Sequence, residues 1–299
     1  MYQEDLRNAD TRKDLYDRTF DIEMSALTVG SSWGDQWGIH PSRTKFDFSG
    51  MDDMVNWGLA HNMELYAALV WYSDFDGDGI PNWLKATPNA DVETAMNEHI
   101  DTVVGRYRGK IKYWNAVNEA VNDSGTLRQG HKWFEAMGDD YIRKAFIRAH
   151  AADPSAVLYY NEYDIESNKA KFDGTKALLI NLKKQNAPVH ALGWQMHIKP
   201  GSFDPATLLA RMNEIADLGF DNYITELDVE LPIDASAADY EQQKQTYKTV
   251  VQTVLAARRL KSIMVWGLRD NDPWWLTKNH PLLFDENYNK KPAYFGVQE

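Results

Sequence analysis

Short apolar segments alternate with amphipathic segments along most of this 299-residue chain, and that alternation is typical of a protein built on a parallel sheet. Seven segments have the length and composition of buried strands, namely Phe20–Ala26, Leu65–Trp71, Tyr113–Asn118, Val157–Tyr160, Ala191–His197, Asn222–Thr225 and Ile263–Trp266. Seven such strands separated by helices favour the α/β class and a (β/α)8 TIM barrel with a poorly defined first strand. We expect that first strand before Phe20.

Several helices between these strands have readable ends. Asp204 followed by Pro205 predicts the start of one helix, and Gly219 predicts its end. A second helix is predicted after Asp91, and a third, long one over Asp239–Arg259. Because the chain contains no internal repeat, low-complexity tract or linker, we predict one domain over residues 1–299.

Composition and charge exclude several classes of function. The net charge of −12 argues against a nucleic-acid backbone or an anionic membrane as partner. The absence of cysteine excludes disulfides, thiolate nucleophiles and cysteine-based zinc sites. No apolar run approaches the roughly 18 residues of a membrane span, and the charged first residues do not resemble a signal peptide. The 11 Trp and 15 Tyr suit sugar rings as well as core packing.

Two glutamates stand where chemistry is expected in a barrel, at the carboxyl ends of strands. Glu119 directly follows Tyr113–Asn118, and Glu226 directly follows Asn222–Thr225. Glycoside hydrolysis needs such a pair, because one carboxylic acid protonates the leaving oxygen while one carboxylate lies on the opposite side of the anomeric carbon. From these two positions alone, a purely structural ion pair is the alternative.

The sequence around both glutamates makes the interpretation more specific. Tyr113–Glu119 (YWNAVNE) resembles the acid/base strand of glycoside hydrolase family 10, the xylanases, and Ile224–Val229 (ITELDV) resembles that family's nucleophile strand. Other segments, in the family's order, are similar to its fifth strand, to the strand whose Gln and His line the catalytic site, to its eighth-strand loop and to its closing segment, namely Leu158–Glu166, Gly193–Ile198, Trp266–Trp274 and Leu283–Tyr294. The resemblance covers roughly Phe46 to Tyr294.

The resemblance implies a retaining mechanism with Glu226 as nucleophile and Glu119 as acid/base, at a carboxyl separation of roughly 5–5.5 Å. Asn118 would hydrogen-bond the 2-hydroxyl of the sugar. His197 would orient and ionise Glu226, with a satisfied core histidine as the alternative. Gln195 would contact Glu226 or the sugar. The other substrate-binding positions that the family implies, for which plain packing is the alternative, are Trp71, Tyr163, Trp266 and Trp274.

Two stretches depart from the family on the side that binds the non-reducing end of the substrate. In the stretch YAALVWY, Ala67 occupies the position of the family's sugar-binding histidine, and Tyr72 replaces a second histidine. In Leu27–Trp33 (LTVGSSW) there is no counterpart of the family's Glu-Asn-x-x-Lys triplet. We expect Trp33 and Trp37 to offer stacking in its place.

An acidic stretch inserted after Trp71 resembles a calcium loop. Asp74, Asp76 and Asp78 alternate with other residues and are followed by glycine, as in loops that bind calcium through carboxylates. Lys85, however, occupies the position that should supply a bidentate glutamate. A structural Ca2+ at these aspartates and a solvated acidic turn are the two interpretations.

These observations predict an endo-acting β-1,4-xylanase that needs no cofactor and acts on a polysaccharide, with neither nucleic acid nor membrane as partner. From the family we also expect a monomer that is secreted. Two alternatives stay open. One is a retaining hydrolase of another β-glycan, such as mixed-linkage or substituted xylan or a glucan. The other is a non-catalytic glycan-binding barrel, which the presence of Glu119, Glu226, Asn118 and His197 disfavours.

Overall fold

The computed structural model describes residues 13–31, 33–34, 38–71, 80–271 and 279–299. Within these ranges it contains eight strand segments: β1 Ala26–Thr28, β2 Glu64–Trp71, β3 Tyr113–Asn118, β4 Val157–Glu162, β5 Ala191–Trp194, β6 His197–Ile198, β7 Asp221–Val229 and β8 Leu260–Val265. All ladders between them are parallel. β1 to β5 pair in chain order, and β7 pairs with β5, β6 and β8.

Four tyrosines show that this sheet curls into a barrel. Tyr66 of β2, Tyr113 of β3, Tyr159 of β4 and Tyr223 of β7 form one buried cluster. The rings of Tyr66 and Tyr223 lie 6.3 Å apart, although β3, β4 and β5 separate their strands in the sheet. Such a contact requires that both side chains point into one enclosed interior. The predicted (β/α)8 barrel is confirmed, although no ladder joins β1 to β8 within the described ranges.

Helices pack outside the strands and largely follow the predicted pattern. The described residues form α1 Lys13–Glu23, α2 Ser49–Ala60, α3 Asn82–Ala86, α4 Asn89–Arg106, α5 Lys132–Met137, α6 Asp140–Ala152, α7 Lys169–Lys184, α8 Pro205–Asp217, α9 Ala237–Leu255 and α10 Pro292–Gln298. The start predicted at Asp204 is confirmed, since its side chain accepts a hydrogen bond from the N–H of Thr207 at 2.8 Å. Gly219, with φ of 92°, follows the end of α8. No helix in these ranges is long and apolar enough to cross a membrane.

The strand predicted over Phe20–Ala26 is wrong. Helix α1 continues to Glu23, and the strand β1 begins only at Ala26. Alternation of apolar and charged residues suggested a strand, but in the helix Phe20 is buried at 8% exposure whereas Ile22 is 77% exposed. Residues 13–19, in the region predicted for the first barrel strand, are also helical, and residues 1–12 lie outside the described ranges.

Candidate active site

Glu119 and Glu226 both lie at the carboxyl end of the barrel, Glu119 directly after β3 and Glu226 within β7. Glu119 has a left-handed backbone with φ of 55°, a conformation that costs a residue with a side chain about 1–3 kcal/mol. Its N–H donates to the carbonyl of Asn161 at 2.9 Å, and its carbonyl accepts from Nε of Arg128 at 2.9 Å. These bonds to the end of β4 and to the following loop fix the direction of the Glu119 side chain.

A chain of amide hydrogen bonds joins the two carboxyl groups. Nδ2 of Asn118 donates to Oε1 of Glu119 at 2.8 Å, and Oδ1 of Asn118 accepts from Nδ2 of Asn161 at 3.0 Å. The same Nδ2 of Asn161 donates to Oε1 of Glu226 at 2.7 Å. Thr225 donates from Oγ1 to Oδ1 of Asn161 at 2.7 Å, which sets the orientation of that amide. The two glutamates therefore belong to one site.

Glu119 lies in surroundings that favour its protonated form. The residue is 9% exposed, and burial raises the pKa of Glu119 above its ordinary value. The charge of Glu226 also raises this pKa, while hydrogen bonds from Gln195 and Asn118 oppose the shift without cancelling it. Nε2 of Gln195 donates to Oε1 of Glu119 at 2.8 Å. Gln195 thus contacts Glu119, whereas the family resemblance led us to expect Glu226 or the sugar.

His197 lies between two carboxylates of β7. Its Nε2 is 3.3 Å from Oε2 of Glu226, and its Nδ1 is 2.8 Å from Oδ2 of Asp228. Burial alone would lower the pKa of His197, but Asp228 and Glu226 outweigh burial and raise this pKa well above its ordinary value. A protonated imidazole donates a hydrogen bond to each carboxylate and so orients Glu226. The structure thus places His197 beside Glu226, and its role in ionising that carboxyl group stays a prediction.

A break in the predicted strand Ala191–His197 brings two of these groups to the site. β5 ends at Trp194 and β6 begins at His197, and Met196 between them has a left-handed backbone with φ of 66°. The carbonyl of Gln195 accepts from the N–H of Glu226 at 3.2 Å, which ties the break to β7. One interrupted strand therefore supplies an amide to Glu119 and an imidazole to Glu226.

The structure describes three of the four aromatic residues that were expected to bind the substrate. Trp71 ends β2 in register with Asn118, the residue before Glu119. The ring of Trp266 lies edge-on to His197, with centroids 6.1 Å apart. Tyr163 uses its hydroxyl within the protein, donating to Asp123 at 2.8 Å and accepting from Arg128 at 2.7 Å. Trp274 lies outside the described residues, so its role stays a prediction.

Four residues of the site were not singled out from the sequence: Asn161, Glu162, Lys171 and Asp228. The first two end β4 and Asp228 lies in β7, so the rule that functional groups follow strands could have found all three. Lys171 lies on α7, yet its side chain is fully buried and its Nζ is 3.2 Å from Oε1 of Glu162. No strand-end signal points to a residue on a helix.

The loop after β1 does not offer the stacking surface expected from Trp33. This tryptophan is fully buried, donates from Nε1 to the carbonyl of Leu69 at 2.6 Å and stacks on His99 with centroids 3.5 Å apart. Ser31 is also buried and hydrogen-bonds the edge of β2. These side chains are used for packing and pairing rather than for a ligand. Trp37 lies outside the described ranges.

The chemistry of the site rests on carboxyl, amide and imidazole groups. The part of the chain that the structure describes has no group of three or more His, Asp or Glu side chains arranged to hold a metal ion. Asp74, Asp76 and Asp78 fall in the gap between residues 71 and 80, outside the described part. Calcium binding by that stretch therefore stays a prediction.

Known proteins share this sequence pattern and this fold. Endo-1,4-beta-xylanase B of Thermotoga neapolitana is 34% identical over 286 residues, covering 93% of this chain and 80% of that protein. Exoglucanase XynX of Acetivibrio thermocellus is 32% identical over 277 residues, covering 87% of this chain but 25% of that protein. The structure of xylanase 10B from Thermotoga petrophila RKU-1 in complex with xylobiose matches with a TM-score of 0.90 at 30% identity, covering 99% of this chain and 90% of that one.

The match to a family extends over nearly the full sequence. The profile of glycosyl hydrolase family 10 matches residues 3–299, and so includes every position assigned to the site from the sequence or the structure. The segments that carry Glu119 and Glu226 had indicated the same family from their residues alone. The matched span, the barrel and the paired glutamates agree, and this chain belongs to glycosyl hydrolase family 10.

Proposed function

We propose that the protein is a retaining endo-β-1,4-xylanase with Glu226 as nucleophile and Glu119 as acid/base. The observation that carries the proposal is a pair of carboxyl groups in one site with different surroundings. Glu119 is buried with a raised pKa, whereas Glu226 is contacted by Asn161 and His197. Retaining hydrolysis needs this difference, because one group must give a proton while the other attacks as an anion.

In the first step, Glu226 attacks the anomeric carbon while the proton of Glu119 moves to the departing glycosidic oxygen. A glycosyl ester on Glu226 and a free sugar hydroxyl result. Asn161 contacts Oε1 of Glu226 and His197 faces Oε2, so each oxygen of the nucleophile has a fixed partner before the attack. Positioning of this kind lowers the entropic part of the barrier.

In the second step, Glu119 takes a proton from the water that attacks the glycosyl ester. Asn118 and Gln195 both donate to Oε1 of Glu119, and these bonds stabilise the anion that Glu119 becomes between the two steps. We expect the 2-hydroxyl of the sugar to contact Asn118. We expect Trp71, Tyr163, Trp266 and Trp274 to contact the substrate around the catalytic sugar.

A different β-glycan is the second candidate substrate, and one observation favours it. Ala67 stands at the position of the family's sugar-binding histidine and is buried in the hydrophobic core at 1% exposure. Trp33 and Ser31 of the preceding loop are also buried. These described residues cannot reproduce the family's usual contacts on the non-reducing side. Substituted or mixed-linkage xylan, or a glucan, would account for that change.

The test is product analysis by mass spectrometry after incubation with linear xylan, substituted xylan, mixed-linkage xylan and cellulose oligomers. Each substrate is also incubated with the Glu226→Gln variant as control. Xylo-oligosaccharides of several lengths from linear xylan support the endo-xylanase. Release from only one of the other glycans supports the second candidate. No release above the control from any of the four contradicts both and favours a non-catalytic glycan-binding barrel.

We also propose that the acidic loop binds a structural Ca2+ through Asp74, Asp76 and Asp78, and this proposal rests on the sequence pattern alone. Ligand binding to the folded state raises its stability, so removing the ion should lower the melting temperature by a few degrees. The measurement is thermal unfolding with excess calcium, with chelator, and with chelator followed by excess calcium. Identical melting temperatures in the three samples would contradict calcium binding.

We further propose that the protein acts outside the cell as a monomer. A polymeric substrate does not cross a membrane, which favours an extracellular enzyme. The catalytic groups all come from one barrel, so no second copy is needed to complete the described site. Activity in washed cells but not in the culture medium would contradict the location. A dimer mass in light scattering would contradict the monomer.

A further inference from the structure

A buried ion pair lies beside the acid/base glutamate. Glu162, the last residue of β4, and Lys171, near the start of α7, have side chains with 0% exposure, and Nζ of Lys171 is 3.2 Å from Oε1 of Glu162. Removing two charges from water is costly, and a neutral pair of similar size is often at least as stable. Neither side chain takes part in the two chemical steps. Their charges at this position therefore indicate a role other than stability.

The carboxylate of Glu162 has four donors around it. Oε1 is contacted by Nζ of Lys171 and by the N–H of Tyr163 at 3.1 Å. Oε2 accepts from Oη of Tyr160 at 2.5 Å and from the N–H of Val121 at 3.2 Å. An ionised carboxylate can only accept hydrogen bonds, so these four donors stabilise the charged form of Glu162 against the burial that favours its protonated form.

One of these contacts connects Glu162 to the backbone of Glu119. Val121 lies two residues after Glu119, in the segment that follows this residue and its left-handed backbone conformation. The carbonyl of Asn161 accepts from the N–H of Glu119, and the N–H of Val121 donates both to Oε2 of Glu162 at 3.2 Å and to Oη of Tyr160 at 3.1 Å. Two successive residues at the end of β4 therefore hold the backbone on both sides of the acid/base side chain.

We propose that Glu162 is a positioning residue of the acid/base centre. Together with Lys171 it sets how firmly Glu119 holds its proton, and through Val121 it fixes the backbone that aims Glu119. The inference rests on the proposed function of Glu119 in the reaction. In addition to that function, Glu162 and Lys171 would control the proton affinity of Glu119 electrostatically, although neither residue contacts the substrate.

The charges act in opposite senses on Glu119. Burial raises the pKa of Glu162 to about 7, with Lys171 lowering this pKa and Glu119 raising it. Repulsion between two carboxylates is mutual, so a charged Glu162 also makes Glu119 hold its proton more firmly. Lys171 lowers the pKa of Glu119. The two charges of the ion pair therefore shift the pKa of Glu119 in opposite directions, and their effects on it offset each other.

Other charged and titratable groups also face Glu119 and the ion pair of Glu162 and Lys171. Those facing Glu119 are Glu226 of β7, Glu162 of β4, Lys171 of α7 and Arg128 of the loop after β3. Those facing Glu162 are Glu119, Lys171, Tyr160 of the same strand and Tyr141 of α6. Those facing Lys171 are Glu162, Asp123 at 3.0 Å and the ring of Tyr163, whose centroid is 2.9 Å from Nζ. Only Glu162 and Lys171 form an ion pair in which both side chains are buried, so these two can be neutralised together without substituting a residue that is expected to contact the substrate.

The test is a double-mutant cycle of Glu162→Gln and Lys171→Met, with the pKa of Glu119 as readout. Glu162→Gln removes a like charge and leaves Lys171 paired only with the exposed carboxylate of Asp123, 3.0 Å away, so the pKa of Glu119 should fall by roughly half a unit to one unit. Adding Lys171→Met to Glu162→Gln removes the positive charge and should raise this pKa again. In the Lys171→Met background, Glu162→Gln should still lower it.

The readout does not depend on a substrate. Carbon-13 NMR of protein labelled at the glutamate carboxyl carbon follows each titration, and the signal missing from Glu119→Gln identifies Glu119. Glu166→Gln is the matched control, because Glu166 is an equally buried carboxyl on the same segment but faces Asp164, His197 and Arg211. Its Glu119 titration should equal that of the wild type. In active enzyme, the alkaline limb of kcat/KM should move by the same amount as the NMR titration.

Three results would overturn the inference: an unchanged Glu119 titration in Glu162→Gln, no upward return in the double variant, or an equal shift in Glu166→Gln. Should Glu162→Gln alone fail to fold, Lys171→Met against the double variant gives the same comparison, with both charges of the buried pair removed in one arm. A wild type that cleaves no glycan would contradict the proposed function, yet the NMR titration would still decide the role of Glu162.

Discussion

Glu226→Gln is expected to lower kcat on the preferred xylan by roughly 10^4–10^6-fold, the range found when the nucleophile of a catalytic unit is removed. Glutamine has the size of glutamate, and its carbonyl oxygen can still accept from Nδ2 of Asn161, which contacts Oε1 of Glu226 at 2.7 Å. Its neutral amide cannot attack an anomeric carbon. The measurement is the initial rate of reducing-end release, together with thermal unfolding to show that the fold is kept.

Glu230→Gln is the matched control for that loss. Glu230 directly follows β7 and pairs with Lys199 at 3.1 Å, so the same chemical change is made four residues from Glu226 on the same segment. We expect its rate within about fivefold of the wild type, because a partly exposed ion pair contributes little. A loss in Glu230→Gln comparable to that in Glu226→Gln would mean that charge in the groove, rather than a nucleophile, is what the first variant removed.

A covalent label would identify the nucleophile directly. An aryl xylobioside with fluorine at C2 and a good leaving group should accumulate the glycosyl ester, because fluorine slows both steps while the leaving group keeps the first one accessible. Mass spectrometry of peptides should then place one glycosyl group on Glu226. Full turnover without any labelled peptide would contradict the retaining mechanism.

The site glutamates could be found from the sequence because their signal is local. A short apolar strand that ends in a polar residue is visible within a few positions, and in a parallel barrel every such end lies at the same rim. Glu119, Glu226 and His197 satisfy that rule, and the structure brings all three together. The fold class followed from the same alternation of strands and helices.

The errors and omissions arise where tertiary packing decides the outcome. The period of Phe20–Ala26 fits a strand, yet the residues up to Glu23 continue a helix that buries Phe20 and exposes Ile22, and the strand begins only at Ala26. Trp33 was expected to offer a stacking surface to a ligand, but its ring stacks on His99 in the core, which only the fold shows. Lys171 carries no local signal, since its contact with Glu162 exists only because α7 packs beside the end of β4.

Glu119→Ala should affect substrates differently according to their leaving group. On xylan, where a sugar hydroxyl departs, the loss of general acid catalysis should lower kcat/KM by about 10^2–10^4-fold. An aryl xylobioside with an acidic phenol needs no proton to depart, so its first step should be nearly unchanged. Its second step still lacks the general base, so the glycosyl ester should accumulate and kcat and KM should fall together. The measurement is steady-state kinetics on both substrates.

Azide provides the complementary experiment. The anion attacks the glycosyl ester without needing a base, and the alanine leaves room where the Glu119 carboxyl group stood, so azide should restore kcat on the aryl substrate. The product should be the β-glycosyl azide, because two inversions at the anomeric carbon retain its configuration. The same addition should leave Glu226→Gln inactive, since that variant forms no ester to attack.

An equal fall in kcat/KM of Glu119→Ala on xylan and on the aryl substrate, with no response to azide, would show that Glu119 maintains the structure of the site rather than transferring a proton. The buried amide contacts from Asn118 and Gln195, both directed at one oxygen of Glu119, lead us to expect proton transfer.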